Sequence, residues 1–411
     1  MPEGRRRGYF IAAAVLVGWA AALTLVAATV LSGADLYLFS YYSVDYTVGF
    51  VRRGLGGELL GLVPDDSYFT GLRILRWAST AAFAASLAAV MWTVATHHGR
   101  SERRLLLALM IPALPSGYAF ALYSARPDLF GAGAFALFAV ALTRSTRERG
   151  ALIASTMYGL VTAVLALIHE AIPLQFALGA VLAVAALPRQ LPNSLKRLCM
   201  LVAVAPGLAS SLVVALAGRQ GVATELCALV PRRMVENPYA IAKSVEGISD
   251  YLTGRERPQT EYHDWMCRII LPLWDWSPSE AARYVINLGI GPLVASAALG
   301  TLMLALAVWL IRYTSGVPVR QYVNGLRRWI FWVVVALAVM APIFVTAFDW
   351  TRWLVIIALN VSVVYALFAS GQPEIEQPTS RRMLVVCAVI VTSLALLPIG
   401  IIPGLAAPPP V

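Results

Sequence analysis

Charged residues are scarce in this 411-residue chain. Asp, Glu, Lys and Arg make up 13% of it, against about 25% in an average soluble domain, and 59% of the residues are hydrophobic. Apolar runs of about 20 residues, each long enough to cross a bilayer, recur from end to end. The scarcity of charge excludes a large soluble domain. The sequence predicts an all-α polytopic membrane protein.

Cysteine is also rare, and its four copies show no metal-ligand spacing. Cys227 and Cys267 share one long segment and would form a disulfide if that segment faced an oxidising compartment. An HExxH-type motif is lacking, so we assign no metal-binding residue and leave dependence on a divalent metal open. No clear internal repeat is visible, so the sequence gives no support to an inverted-repeat transporter.

Eleven apolar segments are predicted to span the membrane. The first is longer than the core of a signal peptide, so we interpret it as an uncleaved span. The chain then divides into a seven-span module (1–217), a large loop (218–286) and a C-terminal four-span module (287–411). The predicted spans are 9–31, 71–96, 105–123, 129–143, 151–169, 171–187, 198–217, 287–311, 329–347, 354–369 and 383–405.

The positions of Lys and Arg predict the orientation. With a cytoplasmic N-terminus, the cytoplasmic segments hold 18 of the 32 basic residues, and the short outer loops hold only Arg126 and Arg352. This bias accounts for the net charge of +10 without a nucleic-acid partner. We therefore expect a multi-pass plasma-membrane protein with two long outer loops, residues 32–70 and 218–286.

Ionisable residues gather at the outer ends of the predicted spans. Such residues are costly near lipid and usually mark function, so several of them on one face predict a site. Each also has a structural alternative, as a helix cap, a hydrogen-bonded structural histidine or an ion pair on one helical face. They are Arg126 and Asp128 in SARPDLFG, His169 and Glu170 in LIHEAIP, and Asp349 and Arg352 in FDWTRW.

The first outer loop contains SVDYTVGFVRRGLGG, residues 43–57. Apolar residues recur there at spacings of three and four, which predicts an amphipathic helix over 46–63 that lies on the membrane surface. Arg52 and Arg53 would then lie at headgroup depth, where guanidinium groups bind phosphate. In the alternative, Asp45 merely caps the helix and the two arginines contact lipid phosphates in general.

This layout resembles that of the GT-C superfamily of integral-membrane glycosyltransferases. Members share a cytoplasmic N-terminus, a long first outer loop with juxtamembrane helices and a catalytic acid, and a second large outer loop after span seven. The resemblance covers the whole chain as architecture. The chain departs from the pattern because it has no paired acids directly after span one and no added soluble sugar-binding domain.

The resemblance implies an enzyme that moves a sugar from a polyprenyl-phosphate donor to an acceptor on the outer face. An outer carboxylate would take the proton of the acceptor hydroxyl, and cations would hold the donor phosphate. Position favours Asp45 as this base, with Asp35 as the alternative. The phosphate-binding candidates are Arg52, Arg53 and Arg352.

Aromatic residues of the second outer loop are candidates for stacking on a sugar ring, or they only anchor the loop at the interface. They are Trp265, Trp274 and Trp276. The composition, rich in Ala, Val and Arg but poor in Lys, is typical of high-GC actinobacteria. By association it favours arabinofuranosyl or mannosyl transfer to a cell-envelope polysaccharide or glycolipid.

Two other functions are compatible with such a chain. An O-antigen-type polymerase or ligase also uses polyprenyl-linked sugars and a large late outer loop, but a long first outer loop is less expected. A transporter or lipid-linked-glycan flippase would place polar residues near the middle of the membrane, whereas the predicted span centres are apolar.

Overall fold

The structure is a computed structural model that describes residues 3–29, 36–97, 99, 101–188, 190–237, 240–241 and 244–396. These residues are mostly helical. The helices of the first half are α1 Glu3–Thr29, α2 Leu36–Phe39, α3 Gly54–Leu60, α4 Tyr68–Thr96, α5 Glu102–Met110, α6 Tyr118–Tyr123, α7 Asp128–Arg144, α8 Glu148–Ala166, α9 Ile172–Ala186, α10 Asn193–Ala217 and α11 Ala223–Cys227.

The second half contains the two short strands and ten further helices. The strands are β1 Met234–Glu236 and β2 Gln259–Glu261, with α12 Val245–Leu252 between them. The remaining helices are α13 Tyr262–Trp265, α14 Leu271–Trp274, α15 Pro278–Asn287, α16 Ile290–Ser315, α17 Val319–Leu326, α18 Ile330–Ala338, α19 Ala341–Thr346, α20 Trp350–Ser370 and α21 Arg381–Leu396.

Eight helical segments of the described chain are long and apolar enough to cross a membrane. They are Arg7–Ala28, Tyr68–Thr96, Glu102–Tyr123, Glu148–Ala166, Asn193–Ala217, Ile290–Ser315, Val319–Thr346 and Trp350–Ser370. Shorter apolar helices, α7, α9 and α21, lie at three further predicted spans. The protein is therefore a multi-pass, mainly helical membrane protein, as its composition predicts.

Helix α20 lies at the centre and packs against α16, α9, α4 and α7. Small residues allow this close packing, which is the usual means of helix association in membranes. A Cβ atom at Gly300 of α16 would lie 2.6 Å from the Cβ of Leu354 in α20. Likewise, a Cβ at Gly179 of α9 would lie 2.4 Å from Oδ1 of Asn360. These contacts hold the first turns of α20 against α16 and its middle against α9, which positions the polar residues described below.

The segments predicted to be cytoplasmic meet at one end of the bundle. Arg104 donates through Nε and Nη2 to the backbone oxygen of Ser370, at 3.1 and 2.9 Å. Arg103 donates to the backbone oxygens of Ser315 and Glu374, at 3.3 and 3.4 Å. Arginines on this side therefore tie helix ends and turns together.

The long first loop departs from the predicted helix over 46–63. Residues 46–53 form turns, and only Gly54–Leu60 is helical. Close packing explains the difference, because a Cβ at Gly54 would lie 2.2 Å from the Tyr46 ring and one at Gly57 would lie 2.3 Å from the Val44 oxygen. The glycines of RRGLGG thus let α3 fold back onto the preceding residues.

The second long loop contains a two-stranded hairpin as well as short helices. Strands β1 and β2 pair antiparallel, with Val235 opposite Thr260. This is a small exception to the predicted all-α fold. Cys227, at the end of α11, is joined by a disulfide to Cys267. The other two cysteines, Cys199 and Cys387, are free and buried in helices.

We expect thiol counting to detect this disulfide. Protein denatured from membranes directly in a mass-tagged maleimide, without reductant, should present two reactive cysteines, Cys199 and Cys387, and four when it is reduced first. Gel electrophoresis would show the shift. The Cys227→Ser, Cys267→Ser double variant should present two under both conditions. Four reactive thiols in unreduced protein would show that the loop faces a reducing compartment.

Candidate functional site

A buried ion pair forms the centre of the candidate site. Arg352, in the first turn of α20, places Nη1 2.5 Å from Oδ2 of Asp128, the first residue of α7. The side chains of Arg352 and Asp128 are only 9% and 5% exposed. The second carboxylate oxygen of Asp128 accepts a hydrogen bond of 3.2 Å from Nε2 of Gln175, in α9. Three helices therefore meet at one carboxylate.

A second carboxylate joins two arginines beside this pair. Oδ2 of Asp349 lies 3.0 Å from Nε of Arg352 and 3.5 Å from Nη1 of Arg126. The Arg126 guanidinium lies over the ring of Tyr37, with its central carbon 5.4 Å from the ring centroid. The first long loop thus contributes an aromatic face to a cation from the α6–α7 turn.

His169 lies in the α8–α9 turn and stacks on Tyr41, with ring centroids 5.5 Å apart and planes 20° apart. Burial lowers the pKa of His169 to about 4, so the ring is neutral at neutral pH. Its Nδ1 accepts the backbone N–H of Ala171 at 3.2 Å. The proton of the neutral ring therefore resides on Nε2, which lies 3.6 Å from Oδ1 of Asp128.

Glu170 and Arg53 form a third pair at the rim. Nε of Arg53 lies 3.4 Å from Oε2 of Glu170, whose side chain is 26% exposed. Burial alone would raise the pKa of Glu170, but Arg53 lowers it to about 2. The Arg53 guanidinium also lies 5.0 Å from the Tyr41 ring centroid and 4.7 Å from that of Trp274, in α14.

We call these groups the polar cluster; it comprises Tyr37, Tyr41, Arg53, Arg126, Asp128, His169, Glu170, Gln175, Trp274, Asp349 and Arg352. Its three guanidinium groups balance three carboxylates, because His169 is neutral. Burial of charge near lipid requires such pairing, since an unpaired charge would cost several kcal/mol. The cluster combines fixed cations, carboxylates and aromatic faces, which is a set suited to binding a phosphorylated sugar.

Comparison with known proteins gives the family. A sequence model described as "Uncharacterised membrane protein Rv1490" matches residues 9–395. The chain belongs to the Rv1490 membrane-protein family. It is 42% identical over 400 residues to proteins named Rv1490, from Mycobacterium tuberculosis (strain ATCC 25618 / H37Rv), and Mb1527, from Mycobacterium bovis, and the alignments cover 97% of this chain and 92% of each relative. No solved structure matches the chain.

For this member of the Rv1490 family, the structure brings most of the predicted outer residues together. All three short-loop pairs, SARPDLFG, LIHEAIP and FDWTRW, supply members of the polar cluster, and so do both long loops. The predicted residues in it are Arg53, Arg126, Asp128, His169, Glu170, Trp274, Asp349 and Arg352.

Other predicted residues lie elsewhere or have different contacts. Asp35 is outside the described residues. Asp45 is half-buried, and its Oδ1 accepts the backbone N–H of Thr47 at 3.0 Å. It therefore closes a turn and does not cap the helix predicted over 46–63. Arg52 lies 3.5 Å from the backbone oxygen of Trp276, so it joins the two long loops.

The three predicted tryptophans of the second long loop also lie in different surroundings. Trp265 is only 6% exposed and packs inside an apolar cluster, so its ring offers no open face in this structure. Trp276 packs against Tyr284, with ring centroids 5.2 Å apart. Only Trp274 faces the polar cluster.

Sequence reasoning missed Tyr37, Tyr41 and Gln175. Gln175 carried a usable signal, because an amide inside the apolar run of α9 needs a buried partner. Besides Asp128, it serves Asn360, whose Nδ2 donates to the Gln175 backbone oxygen at 2.7 Å. The two tyrosines carried none, because aromatic residues are common at membrane interfaces and only the fold selects those that face a cation.

Two groups of possible metal ligands, which share His263, lie in the second long loop. The ligand atoms of Glu261, His263 and Asp264 lie within 4.8 Å of one another. The Glu261 oxygens, however, already accept the backbone N–H groups of Asp264 and Arg233, at 3.0 and 2.9 Å. Nearby Cys227 and Cys267 are oxidised to a disulfide. We therefore assign no metal to this loop.

The buried Asp128–Arg352 pair yields a stability prediction. Asp128→Asn should lower the free energy of unfolding by about 3–5 kcal/mol, because it leaves the Arg352 charge buried with less compensation. Detergent-solubilised protein followed by thermal unfolding would measure the loss. Asp66→Asn, the same change at an exposed position, should stay within about 0.5 kcal/mol.

A double variant separates a buried-charge effect from a packing effect. Adding Arg352→Met to Asp128→Asn removes the uncompensated cation and should restore part of the lost stability. Additive losses in the double variant would contradict the pairing.

Proposed function

We propose that this protein is a membrane glycosyltransferase that moves a sugar from a polyprenyl-phosphate donor to an envelope acceptor. The observation that carries the proposal is the gathering of Arg53, Arg126 and Arg352 in one cluster with aromatic rings. The cluster lies at helix ends, where the phosphate of a membrane-embedded polyprenyl lipid would also lie. The layout of the spans, which resembles that of GT-C enzymes, supports the same function.

The chemistry needs a cationic site because the leaving group is a phosphate. As the bond between the anomeric carbon and the phosphate oxygen breaks, its electron pair stays with the polyprenyl phosphate and negative charge develops there. Guanidinium groups that are already fixed by carboxylates and rings stabilise this charge without further reorganisation. Tyr41 and Trp274 offer apolar faces beside the cations, where a sugar ring would stack.

The acceptor hydroxyl must lose a proton as its oxygen bonds to the anomeric carbon. A carboxylate is the proposed base, and the carboxylates differ in their suitability. Asp128 is buried, bonded to Arg352 and hydrogen-bonded to Gln175, so it is committed to structure. Asp45 is half-buried and contacts Thr47, and it stays our candidate base, with Asp35 as the alternative.

Transport is less well supported. The charged cluster lies at one end of the helices, and the arginines of the other end, Arg103 and Arg104, bond to backbone oxygens at the ends of α16 and α20. Among the described residues, Gln175 and Asn360 extend the cluster inward: Nδ2 of Asn360 donates to the Gln175 backbone oxygen, and Nε2 of Gln175 donates to Asp128. A transporter would need polar groups that continue to the opposite face.

We expect Asp45→Asn to abolish sugar transfer while the protein inserts and folds normally, because an amide cannot accept the proton. Purified protein would be incubated with labelled polyprenyl-phosphate arabinofuranose or mannose and an envelope acceptor extract. Asp66→Asn is the matched control and should keep full activity. Full activity of Asp45→Asn together with loss in Asp35→Asn would assign the base to Asp35.

A further inference from the structure

One edge of the Arg53 guanidinium group, with its two terminal nitrogens, makes no hydrogen bond within the described chain. Its Nε lies 3.4 Å from Oε2 of Glu170. Its two terminal nitrogens have no hydrogen-bond acceptor within the part of the chain that the structure describes. These two nitrogens form the fork with which arginine binds carboxylate or phosphate in bidentate fashion. Arg53 therefore contacts Glu170 only through Nε. The stronger, bidentate contact through its two terminal nitrogens remains available.

Two aromatic rings fix Arg53 independently of Glu170. Its guanidinium lies 5.0 Å from the Tyr41 centroid and 4.7 Å from the Trp274 centroid. Tyr41 is itself held by stacking on His169, at 5.5 Å. Because two cation–π contacts hold the guanidinium, its position does not depend on the carboxylate alone.

The backbone at Arg53 is unfavourable for a side chain. Its φ of 65° lies in the left-handed region, which no other non-glycine residue of the described chain adopts. This conformation is unfavourable for a residue with a Cβ atom, and a glycine would avoid the cost. A strained backbone of this kind persists when the surroundings impose it, and it is common where a side chain must be aimed at a ligand. Here the strain accompanies an arginine that points into the polar cluster.

Glu170 is held at its backbone and has some freedom at its carboxylate. The backbone oxygen of Glu170 accepts a hydrogen bond of 2.8 Å from Oγ of Ser211, in α10. Its carboxylate is partly exposed and faces Arg53, with Arg52 further off and the neutral ring of His169 4.0 Å away. The carboxylate can therefore swing away from Arg53 without moving the α8–α9 turn.

We propose that Glu170 is the counter-ion of Arg53 until a ligand binds, and that the phosphate of the lipid donor, bound at the two terminal nitrogens, displaces Glu170 from Nε. The inference rests on the proposed function, which supplies a phosphorylated lipid as ligand. No covalent bond changes in this step. The phosphate binds the terminal nitrogens of Arg53, and Glu170 turns toward solvent because the two anions repel each other.

The exchange explains how a charge-balanced cluster receives an anion. Without a ligand, Glu170 keeps Arg53 paired and avoids an uncompensated cation near lipid. With a ligand, one anion replaces another, so the cluster stays close to neutral at every stage.

The test measures binding of farnesyl phosphate to the purified full-length protein in an uncharged detergent. Glu170→Gln should tighten binding about two- to fivefold, because it removes the competing carboxylate. Arg53→Ala should weaken it roughly 10- to 100-fold. Arg53→Lys, which keeps the charge but lacks the fork, should also weaken binding and serves as the variant most certain to fold.

Two controls test whether the measured binding depends on Glu170 and on the phosphate group of the ligand. Glu148→Gln, the same change at the exposed opposite end of α8, should leave the affinity unchanged. Farnesol, which lacks the phosphate, should bind far more weakly than farnesyl phosphate to the unsubstituted protein. Equal binding of the two ligands would overturn the proposal, because recognition would then be purely apolar.

The direction in which Glu170→Gln changes the affinity for farnesyl phosphate distinguishes displacement of Glu170 from a role in positioning Arg53. If Glu170 only positions Arg53, this variant will weaken binding as Arg53→Ala does, and the exchange is overturned. The result is independent of sugar transfer. Tighter binding in a protein that transfers no lipid-linked sugar would overturn the proposed function alone, and weaker binding in an active enzyme would overturn the exchange alone.

Discussion

The bond between Asp128 and Arg352 is the constraint on which the rest of the site depends. It joins the first turns of α7 and α20 at a depth where neither charge could exist alone. Once this pair is present, its unused hydrogen-bonding capacity must also be satisfied. Nε2 of Gln175, in α9, donates to the second oxygen of Asp128, and the Asp349 carboxylate lies 3.0 Å from Nε of Arg352 as a second counter-charge. Asp349 also contacts Arg126 of the α6–α7 turn, so the partners of one ion pair bring the ends of α7, α9 and α20 together.

The outer layer of the site follows from the same requirement. Arg126 and Arg53 bring further positive charge, and the first long loop covers them with the rings of Tyr37 and Tyr41. Aromatic faces attract cations without adding a negative charge that would need its own partner. This arrangement covers the guanidinium groups with apolar faces. A loop of mixed aromatic and glycine composition is therefore part of the polar cluster.

Much of the fold could be predicted from the sequence, because apolar length is a strong signal that does not depend on tertiary contacts. Within the described residues helices overlap all eleven predicted spans, and eight helical segments have the length and hydropathy expected of a membrane-crossing segment. The helix predicted over 46–63 failed for a tertiary reason. Its apolar spacing is real, but Gly54 and Gly57 pack against Tyr46 and Val44, and this packing replaces helical turns with a fold-back that periodicity cannot detect.

The candidate site was predictable only where charge is expensive. The sequence identifies the charged residues at the ends of the spans, because a buried charge needs a partner of opposite sign. They are Arg126, Asp128, Asp349 and Arg352, and their positions indicate which loops meet. Contacts that depend on an aromatic face carry no such signal, and neither does the choice among neighbouring arginines. Arg52 and Arg53 are adjacent in the sequence, yet one joins two loops through the Trp276 oxygen and the other enters the cluster through a left-handed backbone. That division is set by a single dihedral angle, so the chemistry of this loop becomes readable only in three dimensions.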